Sequence, residues 1–456
     1  MIFNDFAFLF LFLPITAAAF YLAPYRLREW LMLGASLAFY GLAGAEHVVV
    51  LLGCMAWVWV FTASDSIRGS RWRLAAAITG PLMALLYYKY LGFIIRDILP
   101  QSLTLGWKPE IADKLLPAGI SFFTFHLVAF AFDRAHGIIS RQPPPAHFML
   151  YITFFPHLVA GPILRYHEVG EALTVLNRFR PSEEHWRKAI IYFCCGLAAK
   201  VLLADGLAGF IRPLSAAVES LSPLSAFYVL IAYSFQIYFD FWGYSLMATG
   251  LACLFGFTFP LNFNHPYNAL NPQDFWRRWH MTLSRWFRDY LYIPLGGNQR
   301  YIRNIIMVFM VCGMWHGAAW QFMVWGGFHG LLIVAYHLSK GHWDRLPKLV
   351  QRGLTFLLVS MGWTLFLFDF STAWSFLHSL VGASVHSGEG PDLPVQAWAM
   401  LMVSALACFA VDVERLAASP AIDRRGGILH SLGFAAVFVL ALLFIDRSGS
   451  FIYFRF

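Results

Sequence analysis

Two histidines stand where an imidazole can do chemistry. His316 lies in Cys312-Gly313-Met314-Trp315-His316-Gly317-Ala318-Ala319-Trp320, and His280 follows Phe275-Trp276-Arg277-Arg278-Trp279. The apolar run from Ile305 to Trp315 is shorter than the roughly 20 residues a crossing needs. His316 is therefore expected at membrane depth, beside a glycine-marked break. With an ordinary pKa of about 6.5, an imidazole there can take a proton from a hydroxyl as a general base. Taken alone, a membrane histidine is as often a satisfied polar group. Lys200, Asp205 and Asp240 also interrupt apolar runs. Each such group costs about 2.5–3.5 kcal/mol at a helix centre and is kept if paired, wet or used. Lys200 and Asp205, five apart, read as a structural or interfacial pair. Asp240, in Tyr238-Phe239-Asp240-Phe241-Trp242-Gly243-Tyr244, reads equally as structural or functional.

Around His280 lies the densest polar and aromatic block, Asn271 to Gly297. Its pattern predicts one helix, with Pro272 near the first position, Asp274 in the first turn and a Pro294-Leu295-Gly296-Gly297 stop. Trp276, Trp279, Leu283, Trp286, Phe287 and Tyr290 recur at three and four and form an apolar face. Arg277, Arg278, Arg285 and Arg288 cover much of the rest. That is a basic amphipathic helix at the cytoplasmic interface, and the same arginines are candidates to meet an anionic donor. No nucleophile elbow, Walker sequence, zinc-protease or dinucleotide motif is present. Without a covalent nucleophile, the expected chemistry is direct transfer assisted by a base. The 16 histidines carry no ligand spacing, so no metal is expected. The six cysteines, Cys54, Cys194, Cys195, Cys253, Cys312 and Cys408, all lie in apolar stretches and read as buried small side chains.

The elements that position these residues are membrane helices. Of the 456 residues, 59% are hydrophobic, 18% aromatic and only 13% charged. Soluble domains carry about twice that charge fraction, which excludes an ordinary water-soluble enzyme. The net charge of +8 reports topology and no nucleic-acid partner, because Lys and Arg fill the short gaps between apolar runs. Those gaps place the N-terminus outside and the loops with Arg26 and Arg28, and with Arg68, Arg71 and Arg73, in the cytoplasm. The N-terminus lacks a basic region and a cleavage motif, so the first run is expected to be a retained helix. Basic loops flank Phe148 to Leu164 on both sides, and Pro156, Gly161 and Pro162 break its continuity. A re-entrant segment is expected there, tolerated where protein or a watery cavity covers its backbone. The segments Asn262 to Arg303 and Lys340 to Arg352 are expected to face the cytoplasm, and Ser371 to Gln396 the outside. The fold class is all-α: a polytopic transmembrane bundle of about 11–13 membrane segments, including re-entrant helices around a central tunnel, in one integral membrane domain over residues 1–456.

The block Phe275-Trp276-Arg277-Arg278-Trp279-His280, its continuation Arg288-Asp289-Tyr290-Leu291-Tyr292-Ile293-Pro294-Leu295-Gly296-Gly297-Asn298, and Trp315-His316-Gly317-Ala318-Ala319-Trp320 closely resemble the membrane-bound O-acyltransferase family, and within it the bacterial alginate O-acetyltransferase branch. Stretches from the opening Phe8–Pro14 to the closing Phe451–Phe456 extend the likeness over nearly the whole chain. The resemblance implies an acyl group passed from an activated donor, acetyl-CoA or another acyl thioester, through a membrane tunnel to a hydroxyl, with no bound cofactor. It implies His316 as the essential histidine and His280 as the second polar position, binding or polarising the acyl carbonyl. Asp240, Tyr244, Arg277, Arg278, Trp279, Arg285, Arg288, Asp289 and Trp315 are its candidate donor or tunnel-lining residues. It further implies a bacterial inner-membrane location among membrane lipids, a secreted or periplasmic acetyltransferase partner and polysaccharide-synthesis machinery. Two departures bear on the acceptor. Trp242 and Leu246 replace a serine and an aspartate usual in the branch, and His126 stands where glutamine is more typical. A transporter or flippase for an acyl carrier or lipid-linked sugar is the rival reading, and a scaffold that only recruits a secreted enzyme is a third.

Overall fold

The computed structural model describes residues 2–100, 116–382, 393–418 and 425–452. Most of the expected outside loop's later half and the closing residues Tyr453–Phe456 lie outside them. Among the described residues every regular element is a helix, and the chain is a multi-pass membrane protein. Six helices are long and apolar enough to cross a bilayer: Ala45–Thr62, Arg71–Ile98, Glu183–Ala216, Pro223–Leu254, Trp320–Trp343 and Lys348–Leu367. Phe8–Leu22, Val395–Ala410 and Ser431–Leu443 are shorter apolar helices. Contacts divide the chain into two compact units, Met1–Phe193 with Met247–Pro260, and Cys194–Leu246 with Leu261–Phe456.

The first unit contains the broken segment foreseen around Phe154-Phe155-Pro156. Helix Pro145–Thr153 stops at Phe154, a single turn Phe155–Leu158 follows, and the chain then runs without regular structure to Arg165. A broken helix leaves backbone groups that water would normally satisfy, and a buried apolar site offers none. Side chains from neighbouring helices take over. The Phe155 N–H donates to Ser36 Oγ (3.2 Å), the Leu164 N–H donates to His126 Nε2 (3.0 Å), and the Tyr151 hydroxyl donates to the Leu164 carbonyl (2.9 Å). His126 thus does what a glutamine oxygen can do, accepting from a backbone N–H.

In the second unit, helices Tyr301–His316 and Trp320–Trp343 approach to near backbone contact. A Cβ added at Gly313 would lie 2.0 Å from the Phe322 carbonyl oxygen, and one at Gly326 would lie 2.1 Å from that of Phe309. Small residues at such crossings are how membrane helices gain close packing. The contact fixes where the first of these helices ends, and it ends at His316.

The backbone cap in the first unit yields a direct expectation. Replacing His126 by Leu strands the Leu164 N–H in a buried site, at a cost of about 1–3 kcal/mol, whereas His126→Gln keeps an acceptor. Thermal unfolding in detergent should show a lowered midpoint for His126→Leu and a smaller loss for His126→Gln. Equal stability of all three proteins would remove this role from His126.

Candidate active site

The block around His280 is not one helix. Helix Pro272–Arg278 and helix Met281–Phe287 are separated by Trp279 in extended backbone and His280 in left-handed backbone at φ 42°. Residues other than glycine avoid this region because Cβ crowds the carbonyl, so the turn must be held from outside. Asn262 holds it. Its carbonyl accepts from the Met281 N–H (2.8 Å), and its side-chain oxygen accepts from the Thr282 hydroxyl (2.9 Å) and the Thr282 N–H (3.3 Å). Its amide nitrogen donates to Ser245 Oγ (3.1 Å).

These bonds also set the histidine's proton. A backbone N–H can only donate, so the Thr282 contact fixes which end of the Asn262 amide is oxygen. That oxygen lies 3.0 Å from His280 Nδ1. Nδ1 therefore carries the ring proton, and a neutral His280 has its lone pair on Nε2. The ring is fully buried, edge-on to Phe241 at 4.6 Å and 6.1 Å from Trp315, centroid to centroid. His316 is 3% exposed and packs on the same Trp315 at 4.9 Å, with Trp325 and Phe366 each at 5.2 Å. Trp315 thus joins the two histidines.

A cavity of about 290 Å³ lies beside helices Met281–Phe287 and Tyr301–His316, and His280, Trp315 and His316 are not among its lining residues. Arg277, Arg288, Tyr292, Asn298 and Tyr301 give it a polar, cationic region; Leu283, Phe287, Ile305, Val308 and Cys312 line the rest. Each wall follows a helical stripe. On helix Met281–Phe287 the lining residues Phe287, Ser284 and Leu283 continue one step back to His280. On helix Tyr301–His316 the lining residues Tyr301, Ile305, Val308 and Cys312 continue to Trp315 and His316.

The four arginines separate. Arg277 and Arg288 line the cavity. Arg288 is paired with the neighbouring Asp289 (2.6 Å), and Arg277 forms no ion pair among the described residues. Arg278 turns back to Asp274 (2.9 Å), and neither it nor Arg285 lines the cavity. Trp279 is wholly buried among Phe275, Phe263 and Trp363. Sequence reasoning missed Asn262, Thr282 and Ser245. The signal available was an asparagine opening Asn262-Phe263-Asn264-His265, a polar residue with no local role.

Asp240 belongs to another arrangement in this unit. Lys200 Nζ lies 2.7 Å from Asp240 Oδ1 and 2.9 Å from Asp205 Oδ1, with Lys200 1% exposed. Residues five apart diverge on an α-helix, but Ala199–Ala204 is a π-helix, whose i to i+5 bond runs from the Asp205 N–H to the Lys200 carbonyl. The wider turn brings both side chains to one face. The remaining carboxylate oxygens are filled from far downstream. Ser448 Oγ donates to Asp205 Oδ2 (2.8 Å), and the Ile452 N–H donates to Asp240 Oδ2 (2.9 Å). Phe451 lies over the ammonium at 4.9 Å and against Tyr244 at 4.5 Å.

Comparison with known proteins bears on the chain as a whole. The model of the membrane-bound O-acyltransferase family matches residues 134–368, which include both histidines and the cavity. A protein of Azotobacter vinelandii named "Probable alginate O-acetylase AlgI" is 35% identical over 384 residues, covering 80% of this chain and 75% of its own. A peptidoglycan O-acetyltransferase of Helicobacter pylori is 33% identical over 412 residues, covering 80% and 77%. A teichoic acid D-alanyltransferase of Bacillus subtilis is 28% identical over 316 residues, covering 61% and 78%.

The Lys200 arrangement sets its own expectation. Removing one partner of a buried ion pair leaves a charge uncompensated, at about 3–5 kcal/mol, while replacing both by apolar residues is often near neutral. Lys200→Met, which strands both Asp205 and Asp240, should therefore lower the unfolding midpoint in detergent sharply, and adding Asp240→Leu should restore part of the loss. A single variant as stable as the parent would contradict the assignment.

Proposed function

The chain belongs to the membrane-bound O-acyltransferase family and is an acyltransferase, and from that premise we propose that it takes an acetyl group from an acetyl-CoA-type thioester, entering by the Arg277 and Arg288 cavity, and passes it toward the hydroxyls of an exported polysaccharide. What supports this reading is that the cavity-lining stripes of the two helices, continued by one step, reach His280 on one side and Trp315 and His316 on the other. The relatives named for alginate and peptidoglycan acetylation favour a polysaccharide acceptor. An inner-membrane location and a secreted acetyltransferase as recipient or partner belong to the same proposal.

The chemistry follows from the residues. An acyl transfer needs a base for the attacking O–H, a path for the donor and a dry site in which partial charges act strongly. The hydroxyl gives its proton to the His316 imidazole as its oxygen bonds to the acyl carbon. The carbon–sulfur bond then breaks, and the departing thiolate takes the proton back. His280, with its own proton turned to Asn262, has only an acceptor at Nε2 and can orient a substrate through an N–H or O–H other than the reacting one. Polarising the acyl carbonyl, as the resemblance implies, requires a second proton on this ring. Arg277, uncommitted to an ion pair, is the better placed of the two cavity arginines for a donor phosphate, since Arg288 already holds Asp289.

Two rate measurements test this. In inverted membrane vesicles supplied with labelled acetyl-CoA, His316→Ala should lower acetyl transfer by about 10²–10⁴-fold at unchanged protein level, and Arg277→Ala should raise KM for the donor by about fivefold. Normal transfer by His316→Ala would end the base role. An intact thioester after incubation of the active protein with donor and acceptor would favour a transporter.

A further inference from the structure

Next to the cavity stand polar groups that the reaction above leaves unused. His329 is fully buried, and neither ring nitrogen has a hydrogen-bond partner among the described residues. Its ring lies 5.1 Å from that of Trp276, 4.9 Å from Trp325 and 6.0 Å from Trp363. The indole N–H of each of these tryptophans is also buried and without an acceptor among the described residues. The four neighbouring rings thus bring three indole N–H groups and one imidazole N–H but only one acceptor, the imidazole lone pair. An unpaired buried donor is destabilising, and a native interior keeps one where a guest or water completes it. A surplus of donors calls for a guest rich in acceptor oxygens.

The cluster's place says which guest. Trp276 lines the cavity, and so does Ile333, which stands one helical turn from His329 on helix Trp320–Trp343. At the other end Trp325 touches His316. The cluster therefore connects the cavity with the base. A coenzyme A or phosphopantetheine thioester threaded along this line carries its phosphates at the arginines and its sulfur near His316. Between them lie the amide groups of the pantetheine arm, whose carbonyl oxygens are acceptors. We propose that His329, with the indole N–H groups of Trp276 and Trp325, is the donor site that receives those amide carbonyls. This rests on the reading of the cavity as the thioester's path. Gly362 helps seat the ring, since a Cβ there would lie 2.5 Å from His329 Nε2.

Equilibrium binding to the full-length protein in nanodiscs tests the site with two probes. Acetyl-CoA carries the arm, and adenosine 3′,5′-bisphosphate carries phosphates without it. His329→Leu should weaken acetyl-CoA about 5- to 10-fold and leave adenosine 3′,5′-bisphosphate unchanged. His329→Gln, which keeps an N–H, should hold acetyl-CoA within about twofold of the parent. Gly362→Ala, which displaces the ring without removing it, should reproduce the selective loss. Should His329→Leu fail to insert, the contrast between His329→Gln and Gly362→Ala decides. Unchanged acetyl-CoA affinity in His329→Leu, or equal weakening of both probes, would overturn the site while leaving the cavity reading intact. A parent protein that binds no acetyl-CoA would take down the cavity reading and this site with it.

Discussion

Everything in this protein answers to one constraint: a polar group inside an apolar bundle must find its partner within the protein, because neither lipid nor dry packing supplies one. Each irregularity described above is a local answer to it. The break at Phe154 is tolerable because Ser36, His126 and Tyr151 reach its loose backbone groups. The left-handed turn at His280 persists because Asn262 binds backbone on one side and ring on the other. Lys200 keeps its charge because two carboxylates enclose it.

The proposed function draws on the same rule. A histidine whose Nδ1 proton is held by an amide oxygen cannot exchange tautomers without breaking that bond, so its reactive nitrogen is chosen by packing. Trp315 then holds both rings in fixed relation, and the close approach at Gly313 and Gly326 prevents the helix carrying His316 from sliding along its neighbour. The site is built on helix ends anchored by rigid contacts, which suits a reaction that depends on placing a hydroxyl, a base and a carbonyl together.

The sequence carried much of this and lost some of it for identifiable reasons. His316 was legible because a short apolar run followed by glycine leaves few places for a helix to stop. The Phe154 break was legible because proline removes donors whatever surrounds it. The region around His280 misled, since Trp276, Trp279, Leu283 and Trp286 keep helical spacing across a turn that is not helical; the tertiary bonds of Asn262 overrode the local period. The Lys200–Asp205 pair was visible only as a spacing of five, which makes a face on a π turn and not on an α turn. Asp240's role rests on a partner 40 positions away, which no local pattern reveals. The arginines looked alike in sequence; the structure separates them, Arg278 by its i+4 bond to Asp274 and Arg288 by its pair with Asp289. Of the expected departures, Trp242 is stacked on Tyr238 at 5.4 Å, an aromatic layer at a position where the resemblance led to a serine.

The filling of Asp205 and Asp240 by Ser448 and Ile452 has a bearing on biosynthesis. These partners are separated by 243 and 212 positions. At 5–20 residues per second a ribosome takes roughly 10–50 s to bridge such a distance. Throughout that interval the nascent chain holds two incompletely satisfied carboxylates in an otherwise apolar helical hairpin. The cluster is therefore complete only after the segment from Ser448 to Ile452 has been made and has docked.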